Sequence, residues 1–257
     1  MPKAKLTQSA VIYRGPSLID GAPIVAIAIL SGRNKKTGRV VQTYIMRADI
    51  DPRLASKTGE DYSICGACPH RGVPSFDPEK AQAEGRSCYV LLGQGPLIAY
   101  RGLLSGLYPT VAGHNAIAAI GAGHMVRLGT YGDPAAVPAY IWESLLSRAS
   151  GHTAYSHQSG LASAAFDPAI MMESADSLAE AESAWSKGHR TFRIVASLAD
   201  IVKGKEILCP ASAEAGKKTQ CAACGLCGGA NTKAKSIAIP AHGAGAGHIK
   251  RRNPVAA

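Results

Sequence analysis

The chain contains no apolar run long enough to cross a bilayer. The longest, residues 24–30, is about a third of the roughly 20 residues that a spanning helix needs, so no membrane partner is expected. An apolar leader is also missing, because Pro2-Lys3-Ala4-Lys5 runs into polar residues, and the expected location is cytoplasmic. Aromatic residues are scarce at 5%, whereas 28 glycines imply many tight turns. Acids are outnumbered, 18 Asp and Glu against 28 Lys and Arg. The resulting net charge of +10 favours a polyanionic partner such as nucleic acid, although a diffuse excess also serves solubility. Basic residues gather at Arg33, Lys35, Lys36 and Arg39, at Lys217 and Lys218, and at Lys250, Arg251 and Arg252.

What the chain does have is seven cysteines in two groups: Cys65-x2-Cys68 with Cys88, and Cys209 with Cys221-x2-Cys224-x2-Cys227. An odd number at these gaps argues against a disulfide framework. Two thiolates separated by two residues reach one ion from a tight turn, and a third at the same step wraps the chain around it.

The second group has two chemical solutions. Cys209-Pro210 together with the run at 221–227 resembles the ferredoxin pattern for a [4Fe–4S] cluster, with the remote cysteine placed first. Alternatively, Cys221, Cys224, Cys227 and His242 compose a Cys3His zinc site. In the first group, three thiolates on a cubane leave one iron open, whereas zinc would recruit His70.

Residues 1–60 read as a β-rich hairpin region, with strands at 24–30 and 40–46 around a turn at 34–38. Residues 61–95 form a loop rich in proline and glycine that carries the first group, with a strand candidate at 89–92. Beyond it, strands at 126–131, 153–156, 170–174, 191–195, 206–209 and 237–240 alternate with helices at 134–149, 177–187 and 198–203. Ser177-Leu178-Ala179-Glu180 matches a capping box. This alternation predicts an α/β chain, a (β/α) barrel or partial barrel over 61–245 with the N-terminal extension, and a flexible basic tail at 246–257.

Polar residues fall at the strand ends: Asp133, His157 and Gln158, Glu173 and Asp176, Ser197, Cys209 and His242. In such folds the carboxyl ends of strands form the active rim, and the second cysteine run is expected there too. Asp133 is a candidate nucleophile, base or substrate anchor, and equally an N-cap ahead of Pro134. His157 is a candidate for holding a base or another polar substrate group.

The segments Cys65-Gly66-Ala67-Cys68-Pro69-His70-Arg71, Ser87-Cys88-Tyr89, Gly132-Asp133-Pro134 and Cys221 through Gly243 resemble a family of uncharacterised bacteriophage proteins. That resemblance implies a phage origin, hence host cytoplasm, and a metal scaffold. In outline the chain is also similar to radical S-adenosylmethionine enzymes, which pair a three-cysteine open cluster with an auxiliary one, although their Cys-x3-Cys-x2-Cys loop is absent. A second similarity is to guanine and deazaguanine transglycosylases, whose zinc site and aspartate nucleophile Cys221, Cys224, Cys227, His242 and Asp133 could imitate. The expectation is therefore an iron–sulfur enzyme that modifies nucleic acid or a nucleotide-derived substrate, with S-adenosylmethionine as the cofactor that the first of these similarities implies. A zinc base-exchange enzyme and a non-catalytic zinc protein that binds nucleic acid are the alternatives.

Overall fold

The computed structural model describes residues 9–31, 37–216, 219–242 and 246–247. In chain order its elements are β1 (Ser9–Pro16), β2 (Pro23–Ser31), β3 (Val40–Arg47), α1 (Pro52–Thr58), α2 (Tyr62–Cys65), α3 (Gly95–Leu104), α4 (His114–Gly121) and β4 (Met125–Tyr131). There follow α5 (Ala139–Leu146), β5 (Gly151–Thr153), β6 (Tyr155–Ser156), β7 (Met172–Ala175) and α6 (Leu178–Ser186). The last are β8 (Thr191–Val195), β9 (Glu206–Leu208), α7 (Cys221–Cys224) and β10 (Ser236–Pro240). The class is mixed α/β.

The strands form two five-stranded sheets, ordered β1-β2-β3-β4-β5 and β6-β7-β8-β10-β9. In the first, β1–β2 and β2–β3 pair antiparallel, then β3–β4 and β4–β5 pair parallel. The second is wholly parallel. Each ladder keeps two edges, so hydrogen bonding among the described residues does not close a barrel. The β2–β3 hairpin joins β4 through β3, so strands from residues 1–60 share a sheet with strands from 61–245. Most of the tail, the basic residues at 33–36, 217–218 and 250–252, and most of the hairpin turn lie outside the described residues.

The first sheet holds the larger core. Ile24, Val25, Ala26, Ile27 and Ala28 of β2 are all fully buried, the mark of a strand covered on both faces. Trp142 of α5 packs there, and its indole N–H donates to the Pro134 carbonyl at 2.8 Å. The second sheet has a thin core of Met172, Cys209, Ala211, Cys227, Ile237 and Ile239. Two of those six are cysteines, so bonds from a metal would brace a layer that apolar burial supports weakly.

Several expected elements differ. The helix expected at 134–149 is a 3-10 turn at Pro134–Ala136 followed by α5, because Pro138 interrupts it. Helix 198–203 is only a 3-10 turn, Leu198–Asp200. Residues 89–92 form no strand, since Arg86 takes the carbonyls of Cys88 and Val90 at 3.1 and 3.0 Å. The capping box at Ser177 and Glu180 is present. Only Ala154 separates β5 from β6, so one extended stretch serves both sheets.

Candidate functional site

All seven cysteines line one cavity of about 330 Å³, together with Asp133, His157 and His242. Alternate residues of neighbouring strands face it: Thr153 and Tyr155, Phe192 and Ile194, Ile237 and Ile239. None of the seven cysteines is in a disulfide.

Cys65 ends α2 and Cys68 precedes a 3-10 turn, while Cys88 is drawn in by its N–H bond to the His70 carbonyl at 3.0 Å. Burial pushes the Cys65 and Cys88 thiols up, so their deprotonation calls for a metal or another positive charge. The set is locked to the strand-end rim by Gln158, whose amide donates to the Cys65 carbonyl at 2.8 Å. The N–H of Asp133 donates to the Ile64 carbonyl at 2.6 Å.

Beside this set is an acid–base array. Asp176 binds His70 Nε2 through Oδ1 at 2.7 Å and His157 Nε2 through Oδ2 at 3.1 Å. The other ring nitrogen of His70 meets Ser87 Oγ at 2.8 Å. Burial works against a charged His157, yet Cys68 and Asp176 more than offset it and hold its pKa well above 6.5. Burial likewise opposes an ionised Asp176, but the two imidazoles keep its pKa below the usual carboxylate range. Among the described residues, His70, His157 and Asp176 are the one group of three or more potential ligands with donor atoms all within 4.8 Å of one another.

Asp133 is placed as a cap. Its Oδ1 accepts from Ala135 N–H at 2.9 Å, and its Oδ2 accepts from His157 N–H at 2.9 Å and from Gln158 at 3.3 Å. Burial raises its pKa. The carboxylate thus holds the His157 backbone while Asp133 also borders the cavity.

The second group sits elsewhere than expected. Arg190, just ahead of β8, donates to the carbonyls of Leu226, Gly229 and Lys235 at 2.8, 2.8 and 2.6 Å. Ala222 N–H donates to the carbonyl of Thr37, ahead of β3, at 2.8 Å. The run at 221–227 therefore lies at the amino ends of the parallel strands, opposite the rim. The reason is topological: β9 and β10 are parallel, so the connection between them must cross back, and the run lies late in that crossing. Burial pushes the Cys227 thiol up to about 12, and Cys209, Cys221 and Cys224 lie within its electrostatic reach. His242 follows the carboxyl end of β10, with Nδ1 on the Pro240 carbonyl at 3.0 Å. The structure thus gathers Cys209, Cys221, Cys224 and Cys227 on a cavity whose wall His242 also joins.

Sequence reasoning missed the His70–Asp176–His157 link and the place of Arg127 on the cavity wall, where its Nη2 donates to the Tyr89 hydroxyl at 2.7 Å. An arginine within Met125-Val126-Arg127-Leu128 was a readable sign of a buried charge, and Gly129 within a strand was a sign of a bulge. No helix among the described residues is long and apolar enough to cross a membrane. Compared with protein families, curated proteins and solved structures, the chain matches none.

Proposed function

We propose that this chain is a metal-cluster enzyme acting on a nucleotide-derived or nucleic-acid substrate, with two cysteine-ligated centres facing one cavity. The observation that carries this reading is the convergence of seven reduced cysteines, as sets of three and four, on a cavity that also holds His70, His157 and Asp176. Cys65, Cys68 and Cys88 would hold the reactive centre and Cys209, Cys221, Cys224 and Cys227 the auxiliary one. In this reading the two sheets act as one curved wall, a partial barrel joined through Ala154.

What supports a cluster reading is the donor count, three thiols in one set and four in the other, the numbers that one open and one closed iron–sulfur centre require. An iron–sulfur centre with three protein thiolates supplies an open iron position for a substrate atom or for S-adenosylmethionine. His157 would hold a proton next to Cys68, Asp176 would keep it there, and the apolar strand faces would exclude water. The transglycosylase reading has less behind it, because Asp133 Oδ1 caps the turn that follows and Oδ2 accepts from the His157 N–H.

The test is anaerobic purification with metal and sulfide analysis and visible and electron paramagnetic resonance spectra. Brown protein with iron and acid-labile sulfide at two sites supports the reading. Colourless protein with stoichiometric zinc overturns it in favour of a zinc enzyme or zinc nucleic-acid-binding protein.

A further inference from the structure

Three donors from distant parts of the chain meet on the cavity wall. His70 lies in the 3-10 turn after Cys68, while His157 and Asp176 directly follow the adjacent parallel strands β6 and β7. One ligand atom from each residue lies within 4.8 Å of the other two. Both imidazoles present Nε2 to the same carboxylate, His70 to Oδ1 at 2.7 Å and His157 to Oδ2 at 3.1 Å. Their rings stand edge to face, with centroids 5.7 Å apart.

This spacing suits a shared ion. Imidazole nitrogen and carboxylate oxygen bind zinc at about 2.0–2.2 Å, so donors on adjacent corners of one such ion stand about 3 Å apart. The two nitrogen–oxygen distances are close to that value, and small rotations of the rings would admit the ion between them.

Each donor is also held from behind. His70 Nδ1 meets Ser87 Oγ at 2.8 Å, and a hydroxyl can accept from Nδ1–H when Nε2 is a ligand. The His157 N–H donates to Asp133 Oδ2 at 2.9 Å, and the Asp176 N–H to Glu180 Oε2, from the capping box of α6, at 2.6 Å. Outer partners of this kind orient metal ligands and raise affinity.

The cluster is reached from the cavity. All three residues border it, and His157 and Asp176 keep 21% and 16% of their side-chain surface exposed. Two imidazoles and one carboxylate suit a first-row divalent cation and leave coordination positions unfilled by protein. Cys68 stands beside His157, so an ion held here would neighbour the rim set.

We propose that His70, His157 and Asp176 form a mononuclear site for a first-row divalent cation, with open positions toward the cavity for water or a substrate oxygen. The ion takes the place of the proton that His157 holds in the metal-free chain. The site goes beyond the proposed function, because it needs no thiolate and stands whether the cysteine sets carry iron–sulfur, zinc or nothing.

The test is titration of the full reduced chain with Mn(II), followed by electron paramagnetic resonance and water-proton relaxation. Thiolates select softer metals such as zinc and iron, whereas Mn(II) favours carboxylate and water, so it reports on this site. One equivalent should bind and keep exchangeable water, both in the metal-free chain and after the thiolate centres are filled. His70→Gln, His157→Gln and Asp176→Asn should each weaken binding about tenfold or more, and Cys88→Ser should leave it unchanged. Ser87→Ala removes only an outer hydroxyl, should weaken binding about tenfold, and keeps the proposal testable if a ligand variant does not fold. No saturable Mn(II) binding, equal affinity in the folded variants, or loss of binding in folded Cys88→Ser overturns the site. Bound Mn(II) without exchangeable water overturns its open positions. Iron and sulfide assayed on the same samples separate the two readings. A chain without iron–sulfur that takes Mn(II) leaves this site standing, and an iron–sulfur chain that takes none removes it alone.

Discussion

Nε2 of His157 stands 3.1 Å from Oδ2 of Asp176, with Cys68 on the other side of the imidazole and His70 on the other side of the carboxylate. The pair stabilises the fold only while both partners are charged. The folded pKa of His157 is raised above 6.5, so its contribution is full below pH 6.5 and is lost as pH rises through the raised value. Asp176 is depressed below 3.8, so its contribution is full above pH 3.8 and is lost as pH falls through the depressed value. In the metal-free reduced chain, urea unfolding should give greatest stability from this pair between those two pH values. His157→Gln should remove the alkaline limb and cost on the order of 3 kcal/mol at mildly acidic pH. An unchanged pH profile would show that the pair is not charged.

The two cysteine sets should load independently. Cys88→Ser should remove metal from the rim set and leave the second set filled, and Cys224→Ser should do the reverse. Metal and sulfide stoichiometry on each variant checks this. Loss of all metal from either variant would mean a single shared centre. Cys227→Ser should also lower thermal stability, because Cys227 belongs to the thin core of the second sheet.

Arg193 and Glu206 make a buried two-pronged pair, Nε to Oε1 at 2.8 Å and Nη2 to Oε2 at 2.6 Å, bridging β8 and β9 on either side of β10. Glu206→Ala leaves a buried guanidinium without its charge partner and should cost about 3–5 kcal/mol by denaturant unfolding. Replacing both residues with apolar ones of similar volume should recover most of that loss. Because Cys209 directly follows β9, Glu206→Ala should also weaken metal retention by the second set.

Gly129→Ala tests the bulge that shifts the register of β4 against β3. The φ of +64° at Gly129 lies in the left-handed region, and an added Cβ would meet the Gly132 carbonyl oxygen at 2.5 Å. The substitution should cost about 1–3 kcal/mol. A stability unchanged within error would show that β4 can shed the bulge.

Local chemistry made much of this molecule readable in advance. Alternation of apolar runs with helical stretches pointed to an α/β chain, and thiol spacing separated seven cysteines into three and four. The capping box was legible because Ser177 and Glu180 interact within one helical turn. Pro138 was equally visible, and neglecting it overextended one helix. The His70–Asp176 contact spans 106 residues and leaves no mark on local pattern, so only folding could reveal it.

The sequence by itself determined which donors exist and which can share a turn, since rise per residue and side-chain chemistry are local properties. Which end of the strands each thiol occupies was decided by tertiary structure alone. A parallel crossover returns the chain to its starting side, and that put Cys221–Cys227 opposite Cys65, Cys68 and Cys88 across one cavity. The same holds for His70, His157 and Asp176, which come from separate stretches of chain and meet only because adjacent parallel strands end side by side.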